Sequence, residues 1–134
     1  MDINLKFHHL GYAVKSIENT LVFFKNLGYS FSEIYVDVNQ KVQICLLKNE
    51  NSPMIELVQG ISEETSPIKK LIDKNGVIPY HICYSTPNIN SAINTLRAQS
   101  FILLFNPVGA IAFSNKKICY MFNPAVGLIV LIEL

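Results

Sequence analysis

The sequence predicts an α+β protein built from two copies of one β-α-β-β-β unit. Two observations indicate this class. The second half of the chain repeats the residue pattern of the first half at a spacing of 72 residues, and in each half an alternating, strand-like segment precedes an amphipathic helical segment. The chain has 134 residues, half of them hydrophobic, which is the length of one ordinary domain with enough apolar material for a full core.

The charge balance and the apolar runs exclude several classes of partner. Lys and Arg number 11 against 10 Asp and Glu, so no basic excess is available for phosphates, and nucleic acid is not expected. The longest apolar run near the end, 125–132, is far shorter than the roughly 20 residues of a membrane-spanning helix, and we find no signal peptide. The three cysteines are scattered, which is typical of reduced thiols, so we expect a cytoplasmic protein with no membrane partner.

The repeat is clearest at the start of each half. A shift of 72 residues aligns His81 with His9 and Asn88 with Ser16 without a gap. Ser and Asn are favoured N-caps because the side-chain oxygen accepts an otherwise unpaired backbone N–H, so one helix is predicted after each. The strands predicted before these caps are 5–12 and 77–84.

Three further strands are predicted in each half. They are 29–36, 42–48 and 54–59 in the first, and 101–105, 116–122 and 128–134 in the second. Between the halves, a linking helix is predicted at about 66–75, with Ser66 as its cap and Pro67 at its first position. We expect one domain, 1–134, with module 1 at about 1–64 and module 2 at about 76–134, because neither module alone buries its sheet face.

Four polar residues lie in apolar strands at equivalent points, the first and the last strand of each half. They are His9, Glu56, His81 and Glu133. Because alternate residues of a strand share one face, each is predicted to point inward with its apolar neighbours. A buried carboxylate is unfavourable by several kcal/mol unless it is paired or bound to a cation. Two imidazoles and two carboxylates that converge would suit one divalent ion, without choosing among Zn, Ni, Co, Fe and Mn.

Each of these residues alone has a plainer interpretation. A single histidine in a strand is more often a satisfied core or edge residue than a metal ligand. Glu56 alone would be read as a solvated strand residue, and Glu133 lies beside the last residue of the chain, where exposure is common. His8 competes with His9 but is predicted to face the surface. The metal interpretation therefore depends on the joint pattern of the repeat.

The segments that carry the four residues resemble strand motifs of the vicinal oxygen chelate superfamily. This superfamily includes glyoxalase I, methylmalonyl-CoA epimerase, bleomycin-resistance proteins and extradiol dioxygenases. The matching segments are 9–14, 54–58, 80–83 and 130–134. The resemblance implies a glyoxalase-like fold, in which two βαβββ modules form an incomplete mixed β-barrel, and it implies a homodimer. It also implies that His9, Glu56, His81 and Glu133 are the metal ligands. Counting from Pro124 gives Glu133 as the last ligand, whereas counting from Gly127 gives Leu131, and we predict Glu133.

The same resemblance implies a metal-dependent lyase or isomerase of the lactoylglutathione lyase type. It would bind one divalent ion, Zn, Ni or Co, and remove a proton beside the carbonyl of a small-molecule substrate. Glu133 is predicted as the base, with Glu56 as the other candidate. The alternative is an acyl-CoA epimerase, which segment 66–74 resembles. The base glutamate of that branch matches 39–41, which has no carboxylate, and its histidine loop matches 112–115, which has no histidine.

A non-catalytic, antibiotic-binding module is a further alternative. Such a module would need an apolar cavity lined by aromatic side chains rather than a metal. The aromatic residues available for such a cavity are Phe7, Tyr35, Phe105, Phe113 and Phe122.

Overall fold

A computed structural model describes residues 3–61 and 67–134 of the chain. The chain divides into two compact units. Of the described residues, 9–61 and 67–80 form the N-terminal unit, and 3–8 and 81–134 form the C-terminal unit. The predicted modules differ from these units at the start of the chain, because Ile3 and Leu5 pack against the core of the C-terminal unit.

The N-terminal unit contains one sheet with a helix packed on it. Its elements in chain order are β1 (Lys6–Ala13, from residue 9 onward), α1 (Ile17–Asn26), β2 (Ser30–Phe31), β3 (Tyr35–Asp37), β4 (Val42–Asn49), β5 (Ser52–Gly60) and α2 (Pro67–Asn75). The strand order is β2-β4-β5-β1, with β3 paired to β4. β1 and β5 are parallel, while β4 and β5 are antiparallel.

The C-terminal unit repeats this arrangement. Its elements are β6 (Ile78–Thr86, from residue 81 onward), α3 (Ile89–Arg97), β7 (Ile102–Leu103), β8 (Val108–Ala110), a 3-10 turn (Ile111–Phe113), β9 (Lys116–Asn123) and β10 (Gly127–Glu133). The strand order is β6-β10-β9-β7, with β8 paired to β9. β6 and β10 are parallel, while β9 and β10 are antiparallel. The predicted α+β class is confirmed.

The helix boundaries follow the predicted caps. The side chain of Ser16 accepts a hydrogen bond from the N–H of Asn19, and that of Asn88 accepts one from the N–H of Ser91. These bonds pair backbone donors that the first turn of a helix leaves without intrahelical partners. Gly28 has a φ of +88°, a left-handed conformation that suits glycine after a helix. The proposed cap Ser66 lies outside the described residues.

The second strand predicted in each half differs from the structure. In the N-terminal unit a break falls at Ser32, whose hydroxyl accepts a hydrogen bond from the N–H of Leu46 at 2.9 Å. A side chain therefore replaces a backbone group in the ladder at this point. In the C-terminal unit the predicted strand 101–105 corresponds to β7 alone, and β8 is a further short strand that the sequence did not predict. Pro107, which has no N–H to donate, lies directly before β8.

The core of each unit lies between its helix and its sheet. In the N-terminal unit it consists of the buried residues Val14, Ile17, Leu21, Phe24, Cys45, Leu47 and Leu57. In the C-terminal unit it consists of Ile89, Ala92, Ile93, Leu96, Cys119, Met121, Ile129 and Leu131. Among the described residues, no helix is both long and apolar enough to cross a membrane.

All three cysteines are thiols outside any disulfide, and all three are fully buried. Burial raises the pKa of the Cys119 thiol to about 12, and burial also raises the pKa of Cys45. A thiol with a raised pKa stays protonated near neutral pH, and the protonated form is a poor nucleophile.

We expect all three thiols to be protected in the native protein. At pH 8 a thiol reagent such as Ellman's reagent should react with the native protein far more slowly than with protein unfolded in guanidinium, which should titrate all three. Rapid reaction of one equivalent in the native protein would contradict the described burial.

Candidate functional site

The N-terminal unit buries a histidine and a carboxylate side by side. His9 is 2% exposed and Glu56 is 6% exposed. The Nε2 atom of His9 lies 3.5 Å from the Oε1 atom of Glu56. A buried carboxylate needs a positive or hydrogen-bonding partner to offset its lost hydration, and the adjacent imidazole provides one.

The parallel pairing of β1 with β5 positions this pair. Glu56 is in register with Gly11, which has no side chain, and Gly11 lies two residues from His9 on the same face of β1. The opposite face of these strands packs on α1 through Tyr12, Ile55 and Leu57. His9 and Glu56 therefore lie on the face turned away from α1.

His81 lies on the corresponding face of the C-terminal unit. It is 4% exposed, and its ring centroid is 5.8 Å from that of Tyr120. Cys83, two residues further along β6, packs with Val130 and with other buried residues on the side away from α3. The position of His81 thus matches that of His9, as the repeat predicts.

The structure places Glu133 too far along β10 to share a metal ion with His81. It is in register with Thr86, five residues beyond His81 along β6, which corresponds to roughly 16 Å. Its side chain also points to the other face, where its Oε2 atom accepts a hydrogen bond from the N–H of Ile89 at 2.9 Å. Leu131, the alternative from the sequence, faces the same way and packs in the α3 core. The structure brings His9 and Glu56 together but does not bring Glu133 to His81.

Glu133 has a structural counterpart in the N-terminal unit. The Oε1 atom of Gln59 accepts a hydrogen bond from the N–H of Ile17 at 2.9 Å, at the first residue of α1. Ile89 is likewise the first residue of α3. Gln59 and Glu133 therefore each bind an unpaired N–H at the start of a helix, and the carboxylate also complements the positive end of the helix dipole. Aligning Gln59 with Glu133 is the sequence signal that identifies this role.

The residue that matches Glu56 in the C-terminal unit is Val130. It is in register with Cys83, two residues beyond His81, just as Glu56 is in register with Gly11, two residues beyond His9. The last strand is therefore offset by 74 residues from its counterpart, rather than by the 72 of the first strand and helix. This difference of two residues could not be read from the apolar pattern of β10.

A buried carboxylate that sequence reasoning missed is Asp37, which is 2% exposed. Its two oxygens accept hydrogen bonds from the backbone N–H of Gln40 at 3.0 Å and from its Nε2 at 2.7 Å. Asp37 thus fixes the turn between β3 and β4. The sequence signal for this role is an Asp three residues before a polar residue in a turn.

The five aromatic residues named for an apolar cavity do not share one environment. Phe105 and Phe113 pack against the buried cluster that contains Cys83 and Val130. Phe7 is 48% exposed, and its ring makes an edge contact with Tyr84.

The donor atoms of the His9–Glu56 pair suit a metal ion. Two ligands about 2.0–2.1 Å from a tetrahedral zinc ion are separated by roughly 3.3 Å, which is close to the 3.5 Å between Nε2 and Oε1. Imidazole and carboxylate are also the ligand types preferred by divalent first-row metals. The residues of this unit therefore fit two positions around such an ion.

We expect the Glu133 carboxylate to stabilise α3. Glu133→Ala should lower the free energy of unfolding by about 1 kcal/mol, because it removes the acceptor for the Ile89 N–H, whereas Glu133→Gln should retain most of it. Urea denaturation measures both changes. Gln59→Ala is the matched control in the N-terminal unit and should cost a similar amount. Equal stability of Glu133→Ala and the wild type would contradict this role.

Comparison with known proteins agrees with this fold. Residues 8–120 match the model of the Glyoxalase/Bleomycin resistance protein/Dioxygenase superfamily. Curated protein sequences include no significant match. Similar solved structures include the hypothetical protein BH1468 from Bacillus halodurans (26% identity, 98% of this chain and 96% of that chain, TM-score 0.85).

Methylmalonyl-CoA epimerases also resemble this chain in fold. The enzyme from Mycobacterium tuberculosis is 22% identical over 99% of this chain and 92% of that chain, with a TM-score of 0.84. A substituted Streptomyces coelicolor epimerase in complex with 2-nitronate-propionyl-CoA is 20% identical over 96% of this chain and 93% of that chain, with a TM-score of 0.82. Since the family model spans most of the sequence, the chain belongs to the Glyoxalase/Bleomycin resistance protein/Dioxygenase superfamily.

Proposed function

We propose that the protein is a metal-dependent lyase or isomerase that moves a proton at a carbon beside a carbonyl. The buried His9–Glu56 pair is the observation that carries this proposal, because a histidine and a carboxylate with 3.5 Å between their donor atoms are suited to share one divalent ion. His81 supports it, since it is buried at the equivalent position of the C-terminal unit.

The proposed ligands are His9, Glu56 and His81. Each is buried in an apolar strand, where an ionised or polar group needs compensation. A divalent cation would bind the Glu56 carboxylate in place of its direct contact with His9 and would hold both imidazoles in their neutral form. Glu133, included among the ligands predicted from the sequence, is left out because its carboxylate binds the start of α3. These donor types admit Zn, Ni and Co alike.

The bound ion would supply positive charge that stabilises negative charge developing on the substrate oxygen. Glu56 is the proposed base. Its carboxylate takes the proton from the carbon beside the carbonyl, holds it on one oxygen, and returns it to the neighbouring carbon.

A single base favours a glyoxalase-like lyase over an epimerase. Inversion at carbon needs proton removal on one face and delivery on the other, which usually requires two groups, whereas a shift between neighbouring carbons needs one. Among the described residues, the strand position that matches Glu56 holds Val130 instead of a second carboxylate. The leading substrate is therefore the adduct of methylglyoxal and glutathione.

Epimerisation of an acyl-CoA is the second candidate. The similarity to methylmalonyl-CoA epimerases over nearly the whole chain supports it at the level of the fold. The two candidates differ in substrate but share the same first step, the loss of a C–H proton beside a carbonyl.

We expect the purified protein to bind one divalent ion per chain. After chelation and dialysis, elemental analysis of protein reloaded with Ni, Zn or Co should give one ion, and His9→Ala and His81→Ala should each bind at least about tenfold more weakly. Glu133→Gln is the matched control and should bind as the wild type does, because the Glu133 carboxylate accepts the N–H at the start of α3. Wild-type metal affinity in both His9→Ala and His81→Ala would contradict the proposed ligands.

We expect Glu56→Gln to abolish proton transfer. The amide cannot accept the proton, so kcat with the methylglyoxal–glutathione adduct should fall by about 10³-fold at saturating metal. Glu133→Gln is the matched control, since it changes a carboxylate outside the proposed machinery and should keep kcat within about twofold.

Exchange of solvent deuterium distinguishes the two substrates. Incubation in D2O with the adduct or with methylmalonyl-CoA should give enzyme-dependent label or product with one of them, read by mass spectrometry. Metal-loaded protein that labels neither substrate, nor converts either, would contradict the proposed chemistry.

A further inference from the structure

The end of α2 carries an Asn-Gly pair, Asn75–Gly76. Asn75 is the one asparagine of the sequence that is followed by glycine. It is the last residue of α2, and it is exposed. Gly76 has a φ of +74°, and a Cβ built on it would meet no atom within 4 Å. The absence of a side chain at Gly76 leaves its backbone nitrogen open to attack on the neighbouring asparagine.

We infer that Asn75 is a site of spontaneous deamidation, which the last turn of α2 slows in the native protein and which local opening of that turn permits. The inference does not depend on the proposed function, because the reaction needs neither a metal nor a substrate. Water is its one co-reactant.

The reaction exchanges an amide for a carboxylate. The nitrogen of Gly76 gives its proton to water and forms a bond to Cγ of Asn75, while the bond from Cγ to Nδ2 breaks and ammonia leaves. Water then adds to either carbonyl carbon of the resulting five-membered imide and opens the ring. The product is aspartate or isoaspartate at position 75, and nothing is oxidised or reduced.

Two hydrogen bonds oppose this reaction in the native protein. The Nδ2 atom of Asn75 donates to the carbonyl oxygen of Leu71 at 3.2 Å, which holds the side chain along the helix. The N–H of Gly76 donates to the carbonyl oxygen of Ile72 at 2.7 Å, so the attacking nitrogen is already engaged in the helical ladder. Both bonds must break before the nitrogen can reach Cγ.

The last turn of α2 is nevertheless easily opened. Asp73, Lys74 and Asn75 are all exposed, whereas the buried Ile68 lies in the first turn of the helix. The ion pair between Lys69 and Asp73 spans the helix on its exposed side, where such pairs contribute little. An exposed helix end opens locally at a much smaller free energy than the whole protein unfolds.

The products favour the open turn. A carboxylate at position 75 has no hydrogen to donate to Leu71, and its negative charge lies at the negative end of the helix dipole. Isoaspartate also adds one carbon to the main chain, which disrupts the bond from the Gly76 N–H to Ile72. Deamidation should therefore unwind the end of α2 and keep it unwound.

A comparison of native and unfolded protein tests the inference. Both samples are held at pH 8, one in buffer and one in guanidinium, then digested with trypsin and analysed by liquid chromatography and mass spectrometry. Asn75 should be the first asparagine converted in both, at least about tenfold more slowly in the native protein. Asn90, which is followed by Ser91 within α3, is the internal control and should stay unmodified in the native sample.

Two results would overturn the inference. Equal rates in native and unfolded protein would show that the last turn gives no protection. Lack of native conversion, in an experiment able to detect a rate about a thousandfold below that of the unfolded chain, would show that the turn does not open.

A pair of lysine variants tests whether opening of α2 controls the rate. Lys69→Ala removes the ion pair with Asp73 and should raise the native rate about twofold. Lys25→Ala, in α1, is the matched control and should leave the rate unchanged. A native rate in Lys69→Ala no higher than in Lys25→Ala would contradict control by the end of α2.

Asn75→Asp tests the effect of the product directly. Hydrogen exchange of the Gly76 amide should be at least about threefold faster in Asn75→Asp than in the wild type, and within about twofold of it in Asn75→Gln, which adds no charge. Equal exchange in Asn75→Asp and Asn75→Gln would contradict the proposed unwinding.

Discussion

The parallel register of the first and last strands in each unit is the constraint on which the functional assignment depends. In the N-terminal unit this register sets Glu56 beside His9, so a buried carboxylate gains a partner at 3.5 Å. In the C-terminal unit the same kind of pairing sets Val130 near His81. Because side chains alternate along a strand, a shift of one residue would exchange every group on the site face for one on the helix face.

This register gives two glutamates different roles. Glu56 lies on the face away from α1, where its burial next to an imidazole favours binding of a cation. Glu133 lies on the helix face and accepts the first N–H of α3, as Gln59 does for α1. A carboxylate at a helix start is stabilised by the helix dipole and needs no metal. In both units, therefore, a side chain from the last strand accepts the first N–H of the helix. Only the N-terminal unit places a carboxylate beside its histidine.

Much of the fold could be predicted from the sequence, since the repeat, the caps Ser16 and Asn88 and the apolar faces are local patterns. The interruption at Ser32 and the short strand after Pro107 depend on hydrogen bonds to the neighbouring strand of the sheet. The sequence of a single strand does not reveal those bonds. His9, Glu56 and His81 were identified as candidates because polar residues interrupt otherwise apolar strands. Glu133 was misplaced because β10 is apolar at almost every position, so its sequence does not specify which face points to α3.

A crystal structure of the metal-loaded protein, with the ion located from its anomalous scattering, is the most direct test of the proposed metal site. We expect one ion bonded to ring nitrogens of His9 and His81 and to a carboxylate oxygen of Glu56, while Glu133 remains on the N–H of Ile89. An ion bonded to Glu133, or one bound away from the His9–Glu56 pair, would contradict it.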